Sequence, residues 1–193
     1  MRLFTALTFP PQIIARLEAI QQTLRARPAL ATDLSWTKPE NLHVTLKFLG
    51  EIDDHHLDNL IAALRKIPVP PMEFRVGRFV TLPSKGPVRV LAGTLAGDLQ
   101  PLARLFAAIE PTVQPLGVGR EAREFKPHVT LARVRRPSLK HTPQSMSRQV
   151  DPFLLPTDPF TATTFTLFKS TLTPAGPVYE TVAEIGASPT WDG

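Results

Sequence analysis

The chain has 193 residues, 42% of them hydrophobic, enough to bury one substantial core as a single domain or as two small lobes. It carries 22 Lys and Arg against 17 Asp and Glu, and this +5 balance suits an anionic partner without demanding one. There is no cysteine, which excludes disulfides, thiolate nucleophiles and Cys-based zinc sites.

The opening MRLFTALTFPPQIIARL imitates a signal peptide, with Arg2 ahead of a short apolar run. The run stops at Pro10 and Pro11, has no small-residue cleavage site and leads into a charged amphipathic stretch, so it reads as a strand. Ile14, Leu17, Ile20 and Leu24 then recur at helical spacing behind the prolines. A strand follows at HVTL, His43 to Leu46, and a helix in DDHHLDNLIAALRKI, where Leu57, Leu60, Ile61 and Leu64 share a face behind Asp53 or Asp54 as cap. EFRVGRFV and PVRVLAGT read as strands, and DLQPLARLFAAIE as a helix capped by Asp98 with Pro101 in its first turn. A second HVTL strand runs from His128 to Leu131. The stretch RRPSLKHTPQSMSRQVDPFLLPTDPF, beginning at Arg135, is basic, proline-punctuated and without a clean period, as in a long surface loop. TATTFTLFKS and PVYETVAEI are further strands, and GASPTWDG reads as a loose tail. No segment approaches the roughly 20 apolar residues of a membrane span, and a soluble cytoplasmic protein is expected.

The two HVTL words stand 85 residues apart. The same shift carries Ile14, Leu17, Ile20 and Leu24 onto Leu99, Leu102, Leu105 and Ile109, and RLFTALTF onto PVRVLAGT. Strand, helix and histidine strand thus occur twice in one order, the pattern of a bilobal α+β protein with an internal duplication related by a pseudo-two-fold.

Side chains alternate along a strand, so His43, Thr45 and Lys47 are expected on one face and Val44, Leu46 and Phe48 on the other. In the second copy Val129 and Leu131 point inward while His128 and Thr130 point outward. Taken singly, either histidine is an ordinary strand residue; taken together across a cleft, they suit a reaction in which one proton is removed and another delivered. The threonine hydroxyls can hydrogen-bond a phosphoryl oxygen. Zinc binding is the competing chemistry, but there is no HxH, no HExxH and no obvious third ligand. His55, His56 and His141 read as surface residues. Arg135, Arg136 and Lys140, with Lys47 and Arg133, predict a basic rim beside the cleft.

WTKPENLHVTLKFLGEI, FKPHVTLARV, RLFTAL, RVLAG and STLTPAGPVYETVAEI closely resemble segments of the 2H phosphoesterases. Within that superfamily the chain is similar to the RNA 2',3'-cyclic phosphodiesterases, historically called bacterial 2'-5' RNA ligases. The resemblance implies one domain spanning 1–193, made of two interleaved lobes, with two antiparallel sheets facing a central groove and helices outside. It implies metal-independent hydrolysis of an RNA 2',3'-cyclic phosphate end to a 2'-phosphate, with no cofactor. His43 would donate a proton to the leaving 3'-oxygen and His128 would accept one from water, while Thr45 and Thr130 hold the phosphate. Arg133 matches the family's phosphate arginine, although strict alternation would turn it away unless a bulge or the strand end brings it back. Where the family's RVLW-like segment carries an aromatic, this chain has Ala92, so no stacking contact is expected there. The expected partner is an RNA or oligonucleotide with a 2',3'-cyclic phosphate end, with no membrane and with the chain as a monomer. Ligation of cyclic-phosphate and 5'-hydroxyl ends, and a non-catalytic RNA- or nucleotide-binding module, are the alternatives.

Overall fold

The computed structural model describes residues 1–120, 124–138, 140–174 and 176–186. Its first apolar run forms β1 (Arg2–Thr8), whose five central residues are all buried, which is why the run does not alternate. Proline, which lacks an N–H that the first helical turn would leave unpaired, opens α1 (Pro11–Arg25). A short α2 (Pro28–Ala31) and β2 (Leu34–Trp36) lead to the first histidine strand, β3 (His43–Glu51). Then come α3 (Leu57–Leu64), β4 (Met72–Leu82), β5 (Val90–Gly97), α4 (Leu99–Val113) and the second histidine strand, β6 (His128–Val134). The chain closes with α5 (Pro143–Ser147), β7 (Phe160–Ala162), β8 (Thr164–Thr173) and β9 (Gly176–Gly186). Among the described residues, no helix is long and apolar enough to cross a membrane.

The strands run in the order β7-β4-β5-β6-β3-β1-β8-β9, antiparallel throughout, with β2 on the remaining length of β6. This path has a waist. β3 and β6 share only the pair Val44 and Val129, and four strands lie on either side of it. The two expected sheets are therefore halves of one curled path, and the histidine strands are their inner edges.

The halves correspond in register. Thr8 pairs with His43 and Ala6 with Thr45; Thr94 pairs with His128 and Ala92 with Thr130. Thr8 and Thr94 are 86 residues apart, so the segment matching RLFTALTF starts at Val88, one residue later than the fixed offset suggests. Along the helices Leu17, Ile20 and Leu24, and Leu102, Leu105 and Ile109, are buried as the spacing requires. The first member of each set is not: Ile13 takes the buried place of Ile14, and Leu99 is 42% exposed. Each long helix touches the other half. Gln21 of α1 donates its side-chain N–H groups to the carbonyls of Leu131 in β6 (2.8 Å) and Thr37 (2.9 Å), whereas α4 packs on β3.

Three local expectations change. Asp98 precedes α4 without capping it through its side chain, because its carboxylate accepts the Glu73 N–H at 2.8 Å and anchors β4 instead. Asp53 likewise makes no side-chain cap, and a 3-10 turn over Asp54–His56 precedes α3. The proline-rich stretch after Arg135 is more folded than a plain surface loop. It contains α5, capped reciprocally by Thr142 and Ser145, and it buries Met146, Leu155 and Thr157, whose hydroxyl accepts the Val76 N–H at 3.0 Å. Leu139 and the tail from 187 lie outside the described residues.

Candidate active site

The waist creates the site. With Val44 paired to Val129 in antiparallel register, His43 falls level with Thr130 and Thr45 with His128. Both valines are buried, so their histidine and threonine neighbours lie on the opposite face, in a groove that all four line.

Each imidazole is held in the same way. His43 Nδ1 lies 2.8 Å from the carbonyl of Asn41, and His128 Nδ1 lies 2.7 Å from that of Lys126, in both cases two residues upstream. A carbonyl oxygen only accepts, so Nδ1 carries the proton in each ring and Nε2 is left for the groove. His43 Nε2 sits 3.0 Å from Thr45 Oγ1, which donates to it when the ring is neutral.

Alternation then breaks in both strands at the same point. Thr5 pairs with Lys47 and Ala6 with Thr45, leaving Leu46 as an extra residue on β3; Leu91 pairs with Ala132 and Ala92 with Thr130, leaving Leu131 extra on β6. These matching bulges shift the side chains that follow them, Lys47 and Phe48 on β3 and Ala132 and Arg133 on β6, to the other face. Arg133 is thereby returned to the groove, as its expected role requires. Lys47 is turned the opposite way, against expectation: it is only 4% exposed, ion-paired with Glu110 of α4, and donates to the Gly119 carbonyl at 2.8 Å. Phe48, expected in the core, is 61% exposed and lines the groove. Ala92 is buried and offers no stacking surface.

The two histidines differ in their surroundings. The β8–β9 hairpin curls over His43, and Asn41 Nδ2 donates to the Pro177 carbonyl at 2.9 Å to hold it there. The rings of Phe4 and Tyr179 lie 5.1 and 5.4 Å from that of His43. In the other half the corresponding edge strand is the three-residue β7, which supplies no such wall. Burial pushes the His43 pKa below its ordinary value, and the positive charges of Arg133 and His128 push it further, while the bond to Asn41 opposes them.

Pattern reading missed Phe48, Tyr179, Asn41 and Trp36, all of which line the groove. Trp36 stacks under the Arg25 guanidinium, 5.7 Å from its ring centre, and its indole N–H is buried with no partner among the described residues. The shift of 85 that pairs the histidines also pairs Phe48 with Arg133, and would have flagged Phe48. Arg135 and Arg136 do not line the groove as a rim. They border a separate depression with Thr32, Asp33 and His141. His141 is no free surface residue either, since its side chain is 13% exposed and its Nε2 bonds the Asp33 carboxylate at 2.9 Å. His55 and His56 stand beside each other in the 3-10 turn before α3, away from the groove.

Residues 7–92 and 96–179 match the family model described as LigT like Phosphoesterase. A protein of Methanocaldococcus jannaschii named RNA 2',3'-cyclic phosphodiesterase is 29% identical over 95% of this chain and 99% of its own length. A protein of the same name from Thermus thermophilus is 31% identical over 93% of this chain and 86% of its own. The crystal structure of TT0787, also from Thermus thermophilus, superposes with a TM-score of 0.79 at 27% identity, covering 96% of this chain and 97% of that one.

Proposed function

The chain belongs to the LigT-like phosphoesterases, and from that premise we propose that it hydrolyses RNA 2',3'-cyclic phosphate ends to 2'-phosphomonoesters by paired histidine acid/base catalysis. The observation that carries the reading is the matched pair of imidazoles, each with Nδ1 bonded to a carbonyl and Nε2 turned to one groove. Relatives of this length and similarity bear the corresponding name. In this reading the two interleaved halves act as one domain and the chain works as a monomer.

In this reading the cyclic phosphate lies between the threonines. Neutral His128 accepts a proton from water at Nε2 as the water oxygen bonds to phosphorus. The bond from phosphorus to O3' breaks, and protonated His43 delivers the Nε2 proton to that oxygen, leaving a 3'-hydroxyl and a 2'-phosphate. Thr45 and Thr130 donate hydroxyl hydrogen bonds to the equatorial oxygens, and Arg133 adds a charge-assisted bond where negative charge grows. Burial by itself disfavours the charged form of His43. The bound phosphate supplies the counter-charge that restores it.

The test is incubation of purified protein with an oligonucleotide ending in 2',3'-cyclic phosphate, with EDTA present, followed by identification of the end formed. A 2'-phosphate is expected. A 3'-phosphate product, or a joined product when a 5'-hydroxyl oligonucleotide is added, contradicts the proposed direction of the chemistry.

A further inference from the structure

Resting on the phosphodiesterase reading, we propose that the depression bordered by Arg135, Arg136 and His141 is a second phosphate subsite, which takes the phosphodiester on the 5' side of the terminal nucleotide. It would make the enzyme select oligonucleotide ends over cyclic mononucleotides.

Strand β2 lies along β6. Ser35 pairs with Arg133 and Leu34 with Val134, and the Arg135 N–H extends the ladder by donating to the Asp33 carbonyl at 2.9 Å. Leu34 and Val134 are buried. The rows on either side of them, Ser35 with Arg133 and Asp33 with Arg135, therefore lie on the same open face. The first row lines the groove, and the second lines a depression of about 310 Å³. By strand rise the two arginines are about 6.6 Å apart along β6 and its one-residue continuation, which is about the length of one nucleotide in an extended strand.

Charge supports an anion there. Arg135 is steadied by its Nε, which donates to the Leu34 carbonyl at 3.2 Å, and among the described residues neither Arg135 nor Arg136 is ion-paired. The carboxylate in the depression, Asp33, faces His141 at 2.9 Å, and that bond holds its pKa below the ordinary carboxylate value. His141 thus occupies the acidic group and leaves two guanidinium groups facing solvent one step from Arg133. Thr32 adds a hydroxyl to the wall.

Three substrates decide it: a 2',3'-cyclic mononucleotide, a trinucleotide ending in the cyclic phosphate, and, for binding by fluorescence anisotropy, a trinucleotide ending in a 3'-phosphate. In R135A/R136A the KM for the cyclic trinucleotide should rise about tenfold or more, as charge-assisted contacts are lost. The kcat for both cyclic substrates and the KM for the mononucleotide should stay as in the wild type. The slope of log affinity against log salt should shrink by about 0.7 for each contact removed. Because Arg135 also bonds a backbone carbonyl, Arg136→Ala alone should give a smaller change of the same kind. An unchanged trinucleotide KM, or equal changes for both substrates, would overturn the subsite. If the wild type turns over neither cyclic substrate, the hydrolase reading fails instead, and the anisotropy comparison still decides whether the arginines bind the longer ligand.

Discussion

Phe48 and Arg133 occupy equivalent positions on the two histidine strands, each five residues after its histidine and just past the same bulge. One presents an aromatic ring to the groove and the other a guanidinium. The backbone frame repeats, whereas the chemistry at its matched positions has diverged. A nucleotide end needs both, a flat surface for its base and a cation for its phosphate.

Phe48→Ala and Arg133→Ala should therefore separate kinetically. Loss of the ring should raise KM for a cyclic-phosphate nucleotide by about 1–3 kcal/mol of lost stacking, with little change in kcat. Loss of the guanidinium should lower kcat by about 10²-fold, because charge at phosphorus grows in the transition state. Steady-state kinetics on both variants check this, and a fall in kcat confined to Phe48→Ala would reverse the assignment.

His43→Ala and His128→Ala should each reduce hydrolysis by about 10² to 10⁴ while leaving the circular-dichroism spectrum and melting curve near those of the wild type. Both side chains face the groove and neither fills the core. A variant that keeps near-wild-type turnover removes its histidine from the mechanism.

The two histidines can be told apart by pH. His43 has its pKa lowered by burial, then by the neighbouring positive charges, so in the proposed role of proton donor it is active in its charged form, on the acid side of a midpoint below 6.5. In His128→Ala the residual kcat/KM should fall as pH rises through that midpoint. A residual rate that rises with pH would make His43 the acceptor and exchange the two roles. Free-enzyme stability follows the same shift: the native state binds fewer protons than the unfolded chain just below pH 6.5, so this group's contribution is present above about 6.5 and lost as pH falls toward its native value.

Lys47 and Glu110 tie β3 to α4 beneath the site. Lys47→Met leaves a largely covered carboxylate without its partner and should cost about 3–5 kcal/mol in chemical denaturation. The double change to Met at Lys47 and Leu at Glu110 should recover most of that loss, since two apolar side chains need no partner. Equal destabilisation in the single and double variants would show that the pair itself carries little.

Activity should survive exhaustive chelation, because the mechanism proposed here uses only protein side chains on the phosphate. Loss of turnover in EDTA with recovery on adding zinc or manganese would contradict it.

The duplication was legible because core strands and helices are specified by apolar spacing that a one-dimensional reading can count. HVTL twice, with Leu17, Ile20 and Leu24 matched to Leu102, Leu105 and Ile109, located both histidine strands and their helices. The residue types in those words, imidazole and hydroxyl pairs on strand faces, are what the proposed chemistry draws on. What the sequence could not decide was every placement that depends on pairing between distant segments. A bulge is one extra residue relative to a partner strand, so neither the burial of Lys47 nor the exposure of Phe48 exists until β3 lies against β1. The same holds for Arg133, which alternation alone would turn away. The curl of β8–β9 over His43 encloses one imidazole with aromatic rings that the other lacks, and it arises from segments more than a hundred residues apart, as does the Asp33 contact that fastens His141. Composition and period determined the frame and its four polar groups; tertiary pairing determined which way each side chain faces, and with it the asymmetry on which the proposed acid and base roles rest.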